Sequence, residues 1–123
     1  MQRIIVTGAT SMIGVALIEE CIKHGTEVYA VVREGSKKRS RLPESSLIKF
    51  ADCSLEHLDR LPEMISQECD TFYHIAWGNT GENRNSSTEL QSRNIGYTLA
   101  AVKAAAALGC KRFIGAGSQA EYG

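Results

Sequence analysis

Two stretches near the N-terminus carry residue types suited to holding an anion. The first, Thr7-Gly8-Ala9-Thr10-Ser11-Met12-Ile13-Gly14, joins a short apolar run to an amphipathic segment. Gly8 can take the unusual backbone angles of a tight strand-to-helix turn, and Gly14 is expected to let the helix pack close against the sheet. Between them, backbone N–H groups and the positive end of the following helix favour a pyrophosphate. A glycine string alone is weak evidence. Placed directly after a strand and opening a helix in the first βα unit, it reads as a dinucleotide turn, with an unoccupied structural turn as the alternative. The second stretch is basic: Arg33, Lys37, Lys38, Arg39 and Arg41 put five cations within nine positions.

The elements that must position these residues follow from hydrophobic periodicity. Short, continuous β-branched or apolar runs at 3–7, 27–33, 47–50, 71–76 and 112–116 suit parallel strands buried on both faces. Helical patterns lie between them. The segment 12–24 keeps Leu17, Ile18, Cys21 and Ile22 on one stripe and stops at Gly25. A short helix is expected at 59–67, with Pro62 in its first turn. An alanine-rich helix at 89–108 places Ile95, Leu99, Val102 and Ala106 on one face. The order β-α-β-(short)-β-α-β-α-β implies right-handed crossovers and one doubly wound parallel sheet, order 3-2-1-4-5, with helices on both faces. The loops at 34–46 and 77–88 are the polar ones. Ligands of such sheets bind beyond the strands' carboxyl ends.

Composition narrows the class. The chain has 123 residues, 43% hydrophobic, with 14 basic side chains against 14 acidic ones. One domain is expected, large enough to bury roughly two-thirds of its unfolded surface without staples. A formal charge of zero argues against a surface that coats nucleic acid or an anionic membrane. Five cations without interleaved aromatics give little support to a nucleic-acid partner. The four cysteines, at 21, 53, 69 and 110, show no zinc spacing and read as reduced structural thiols. No apolar run approaches the roughly 20 residues of a membrane span, and the expected location is cytoplasmic.

At the glycine turn the chain resembles the extended short-chain dehydrogenase/reductases, the NAD-dependent epimerase/dehydratase family. Their turn reads Thr-Gly-x-x-Gly-x-x-Gly, and seven of eight positions match in character. Ser11 stands where the family has its middle glycine, which implies weaker or shifted pyrophosphate binding, with the serine hydroxyl available to a phosphate. The resemblance runs the whole length. Ala51-Asp52-Cys53 is similar to the family's Gly-Asp-Leu, whose aspartate accepts from the adenine amino group; a helix cap is the alternative for Asp52, although Ser54 is the better cap. His74-Ile75-Ala76-Trp77 resembles His-x-Ala-Ala, whose backbone lines the cofactor, with His74 read as a packed strand residue. Asn94-Ile95-Gly96-Tyr97-Thr98 resembles Asn-Val-x-Gly-Thr on the long helix, and Lys111-Arg112-Phe113-Ile114 with Gly117-Ser118 to Tyr122-Gly123 resembles the family's fifth strand and serine motif.

The resemblance implies a Rossmann-type fold and a nicotinamide cofactor. NAD enzymes of this kind place an acid at the end of the second strand to grip the ribose hydroxyls; that position is Val32 here, followed by Arg33. A 2′-phosphate suits a guanidinium fork, so NADP is the preferred cofactor, NAD the other, with Arg33, Lys37 and Lys38 as its contacts. A merely solvated basic loop stays open, and Glu34 adjoins it.

The family reacts through Tyr-x-x-x-Lys. The tyrosines here are 29, 73, 97 and 122; the first three are followed at the fourth position by Arg33, Trp77 and Ala101, and Tyr122 belongs to the preceding motif. Ser118 matches the serine that hydrogen-bonds the reacting oxygen. The expected whole is the cofactor part of a sugar-nucleotide epimerase, dehydratase or reductase two to three times longer, inactive in these residues alone; a non-catalytic dinucleotide sensor is the alternative. Self-association into a homo-oligomer is expected through strand 112–116 and the long helix.

Overall fold

The computed structural model describes residues 2–33, 35, 37–75 and 88–115, with the backbone alone for 88–94. The apolar runs become five strands: β1 (Arg3–Thr7), β2 (Glu27–Val32), β3 (Ile48–Asp52), β4 (Thr71–His74) and β5 (Arg112–Gly115). All neighbours pair in parallel, in the order β3-β2-β1-β4-β5. The expected strand order is the observed one. Register aligns Thr7 with Val31 on one side and His74 on the other, and Val32 with Asp52. The carboxyl ends of four strands therefore share one edge.

Side chains alternate across the sheet because the strand period is two. Ile4, Val6, Val28 and Ala30 face α1 (Met12–Lys23), where Ile18 is fully buried. Ile5, Tyr29, Val31 and Phe72 face the other layer, α2 (Leu61–Met64) and α3 (Thr88–Ala107). Phe72 is completely buried and stacks on Phe113 with ring centroids 5.4 Å apart. Truncating it to alanine would cost about 3–5 kcal/mol.

Two local expectations are corrected, and the outer face of the long helix is as open as its expected role in self-association requires. The helix expected at 59–67 is a 3₁₀ turn, Leu55–Arg60, followed by the single α-turn α2, with Pro62 at its start. Leu58, Leu61 and Ile65 are all buried, so these two short turns share with α3 the covering of that face of the sheet. The loop at 34–46 contains a 3₁₀ turn, Lys37–Arg41, and the adjoining Leu42 is buried in the α1-side core. The apolar face of α3 that carries Ile95, Leu99 and Val102 is exposed, at 58%, 58% and 42%. Ala101, Ala104, Ala105 and Leu108 face the sheet instead. Small alanines let the helix axis come close, and the bulkier residues are left on the outside.

Candidate functional site

The strand-to-helix turn after β1 is built from its own residues. Gly8 has φ 68°, the left-handed region that a side chain resists. Both the backbone N–H and the hydroxyl of Ser11 donate to the Gly8 carbonyl, at 3.1 and 2.7 Å. The Ser11 Oγ in turn accepts from the Gly14 N–H at 3.0 Å, making Ser11 the N-cap of α1. This corrects the expectation that its hydroxyl is available to a phosphate: the proton is committed within the turn. The N–H groups of Met12 and Ile13, which a helix's first turn cannot satisfy internally, are left to an acceptor from outside. A Cβ on Gly14 would lie 2.1 Å from the Gly8 oxygen, so the glycine is required by the turn itself and not by the sheet behind it.

A groove of about 430 Å³ opens over the carboxyl ends of β1, β2 and β3. Its lining brings together Gly8, Thr10, Arg33, Lys37, Lys38 and Cys53 from the sequence-predicted set. Val31, Gly35, Ser54 and Leu55 also line it; their small or apolar character carried no signal of a site. Among the described lining residues there is no carboxylate, so three cations set the sign of the field. Ser11, Met12, Ile13 and Gly14 open α1 beside the groove, with the Met12 and Ile13 side chains exposed.

Asp52 ends β3, and its carboxylate pairs with the Arg39 guanidinium, which also lies over the Phe50 ring at 5.1 Å. It caps no helix: Ser54 stands at the N-cap of the following 3₁₀ turn, without a side-chain capping bond. The Cys53 thiol donates to the His57 carbonyl at 3.0 Å, and burial, with Asp59 adding, raises its pKa. It is a packed thiol and no nucleophile. The four cysteines are free.

On the other side of the turn, Thr7 Oγ1 accepts from the Ile75 N–H at 3.0 Å and lies 2.9 Å from His74 Nδ1. These contacts tie the carboxyl ends of β1 and β4. Burial pushes the His74 pKa down to about 4, so the ring is neutral near pH 7. Ala76, Trp77 and Ser118 lie outside the described residues, as does the Asn94 side chain; the Asn94 backbone belongs to α3. Among the described residues no cluster of His, Cys, Asp or Glu could hold a metal ion, and no helix is long and apolar enough to cross a membrane.

A parallel sheet of this order, with a glycine turn leading from β1 into a capped helix and a groove over the strand ends, defines a Rossmann-type α/β protein. The chain belongs to the NAD dependent epimerase/dehydratase family, whose model matches residues 4–123. No curated protein matches it. Solved structures share the fold. A UDP-glucose 4-epimerase of Thermotoga maritima, crystallised with UDP-glucose, is 22% identical at a TM-score of 0.72, covering 93% of this chain and 37% of that one. An enzyme of Bordetella bronchiseptica in complex with NAD+ is 20% identical at 0.70, covering 92% and 38%. A UDP-N-acetylglucosamine 4-epimerase of Methanobrevibacter ruminantium, in complex with UDP-N-acetylmuramic acid, is 20% identical at 0.77, covering 99% and 39%. The chain thus spans under two-fifths of the length of these relatives.

Proposed function

We propose that the groove binds a nicotinamide dinucleotide, NADP in preference to NAD, as the cofactor part of a sugar-nucleotide epimerase, dehydratase or reductase. The carrying observation is the pairing of the Gly8 turn with a cationic flank, Arg33, Lys37 and Lys38, around one groove free of carboxylates among its described lining. The fit is supported by Gly14, where a side chain would close the turn. In this reading the Met12 and Ile13 N–H groups meet the pyrophosphate, with Gly8, Thr10, Ser11 and Gly14 shaping its cradle. Asp52 and Cys53 border the adenine. The three cations hold the 2′-phosphate, while Ile75, Ala76, Trp77 and Asn94 line the nicotinamide side.

The nicotinamide supplies hydride exchange with a sugar carbon. The protein's share is to bind and orient it, and Ser118 is assigned to polarise the reacting oxygen. A nucleotide sugar is the proposed substrate of the whole enzyme, which the Thermotoga and Methanobrevibacter relatives support by what they were crystallised with. Cytoplasmic location and a homo-oligomer, joined through strand 112–116 and the long helix, whose Ile95, Leu99 and Val102 are exposed, complete the proposal.

Calorimetric titration of NADP and NAD into the 123-residue chain tests the binding. Heat with NADP at lower concentration than with NAD is expected, and no heat with either at millimolar ligand overturns it. The same chain is expected to turn over no sugar nucleotide.

A further inference from the structure

The five cations that follow β2 are put to two different uses. Arg33, Lys37 and Lys38 line the groove. Arg39 and Arg41 are spent on the protein. Arg39 donates to the Asp52 carboxylate and covers the Phe50 ring, both on β3. Arg41 donates to the Thr10 carbonyl at 3.2 Å, within the glycine turn. The 3₁₀ turn that carries them, Lys37–Arg41, buries none of its own residues. These two arginines, with Leu42 buried just beyond it, tie the turn to the sheet edge.

We propose that Arg39 and Arg41 are positioning residues that hold the 3₁₀ turn so that Lys37 and Lys38 face the 2′-phosphate of NADP. The proposal rests on the dinucleotide reading above and deepens it. A guanidinium suits the task because its rigid fork can hold an acceptor while its plane lies on a ring, whereas lysine is a mobile point charge suited to meeting a phosphate. Anchoring the loop beforehand reduces the ordering cost that binding would otherwise carry. The Arg41 bond to Thr10 also links the 2′-phosphate flank to the pyrophosphate turn, so the two anion sites are held as one unit.

The test uses two substitutions of identical charge. Asp52→Ala deletes the acceptor of Arg39, and Asp52→Asn keeps one; both remove the same negative charge beside the groove. The readout is the ratio of NAD to NADP dissociation constants by calorimetry, which cancels any contact Asp52 makes with the adenine common to both. The lost charge shifts the ratio alike in both variants; with the turn held by its anchors, the ratio in Asp52→Ala lies about fivefold below that in Asp52→Asn, the span of an exposed ion pair. A ratio in Asp52→Ala equal to or above that in Asp52→Asn overturns the proposal. If Asp52→Ala fails to fold by circular dichroism, Arg41→Ala is measured instead: a lowered ratio supports the proposal and an unchanged one overturns it. A wild-type chain that binds neither nucleotide, or both equally, overturns the underlying reading and the proposal with it. Those failures are seen before any variant is made.

Discussion

The two ends of the sheet are made from the same strands and differ in how they distribute charge. At the amino end Arg3, Glu27, Lys49 and Asp70 are tied to one another. The Arg3 guanidinium donates to Glu27 and to the Glu68 carbonyl, each at 2.8 Å, and its backbone N–H donates to Asp70. Lys49 lies 3.5 Å from the same Glu27. Those bonds join the starts of β1, β2 and β3 and the entry to β4. At the carboxyl end the turn bends through a left-handed glycine, and three cations face a groove without a described carboxylate. Ion pairs between strands lock them together, whereas a groove lined by one sign of charge concentrates the field that draws in an anion. One end holds the fold and the other is built to bind.

The sharpest way to break this division is Gly14→Val. The new side chain meets the Gly8 carbonyl inside van der Waals contact, and the turn cannot yield without moving the helix start. Nucleotide binding should be lost, by at least about 100-fold in Kd, equivalent to roughly 2.7 kcal/mol. A calorimetric Kd within tenfold of wild type would refute it.

Next in size is a pH effect. The unfolded chain protonates His74 near its ordinary value of 6.5, whereas the folded ring resists until about 4. The unfolded state therefore binds more protons in that window, and stability falls as pH drops from 6.5 to 4, by up to about 3 kcal/mol. Urea unfolding across this range should show the loss, and His74→Gln should flatten it. The amino end answers at lower pH. There the Arg3 hydrogen bond holds the Glu27 carboxyl below its usual range, against a smaller opposing effect of burial. That contribution is present above the usual carboxylate range and disappears as pH falls through the lowered value.

Arg33→Ala should weaken NADP by about 1.5–3 kcal/mol, the worth of a hydrogen bond to a charged group, and leave NAD nearly unchanged. Equal losses for both cofactors would mean that Arg33 only shapes the loop. The smallest effect is the mirror experiment: Arg3→Ala should cost about 1 kcal/mol of stability and leave both dissociation constants as they were. A changed Kd with folding intact would show that the two ends are not independent.

How much of this was legible depends on the range of the interactions. The Gly8–Gly14 turn could be read because a strand, a turn and a helix start follow one another within a dozen residues. The strand order could be read because alternating elements admit few unknotted right-handed topologies. Leu42 looked like part of a polar loop, since nothing near it in sequence announces the Ile18 and Val32 cluster it joins. The alanine face that α3 turns to the sheet was equally hidden. Periodicity identifies a face but not which face meets the sheet, and here the alanine side does.

The sequence by itself determined the element types, the glycine positions and the cationic cluster, because backbone stereochemistry and local periodicity are properties of neighbouring residues. Tertiary structure alone decided which cations anchor and which face the groove. Arg39 finds Asp52 across 13 positions and Arg41 finds Thr10 across 31. Those partners exist only after β3 has paired with β2 and the turn after β1 has closed, and the distances that make a hydrogen bond are set by that pairing.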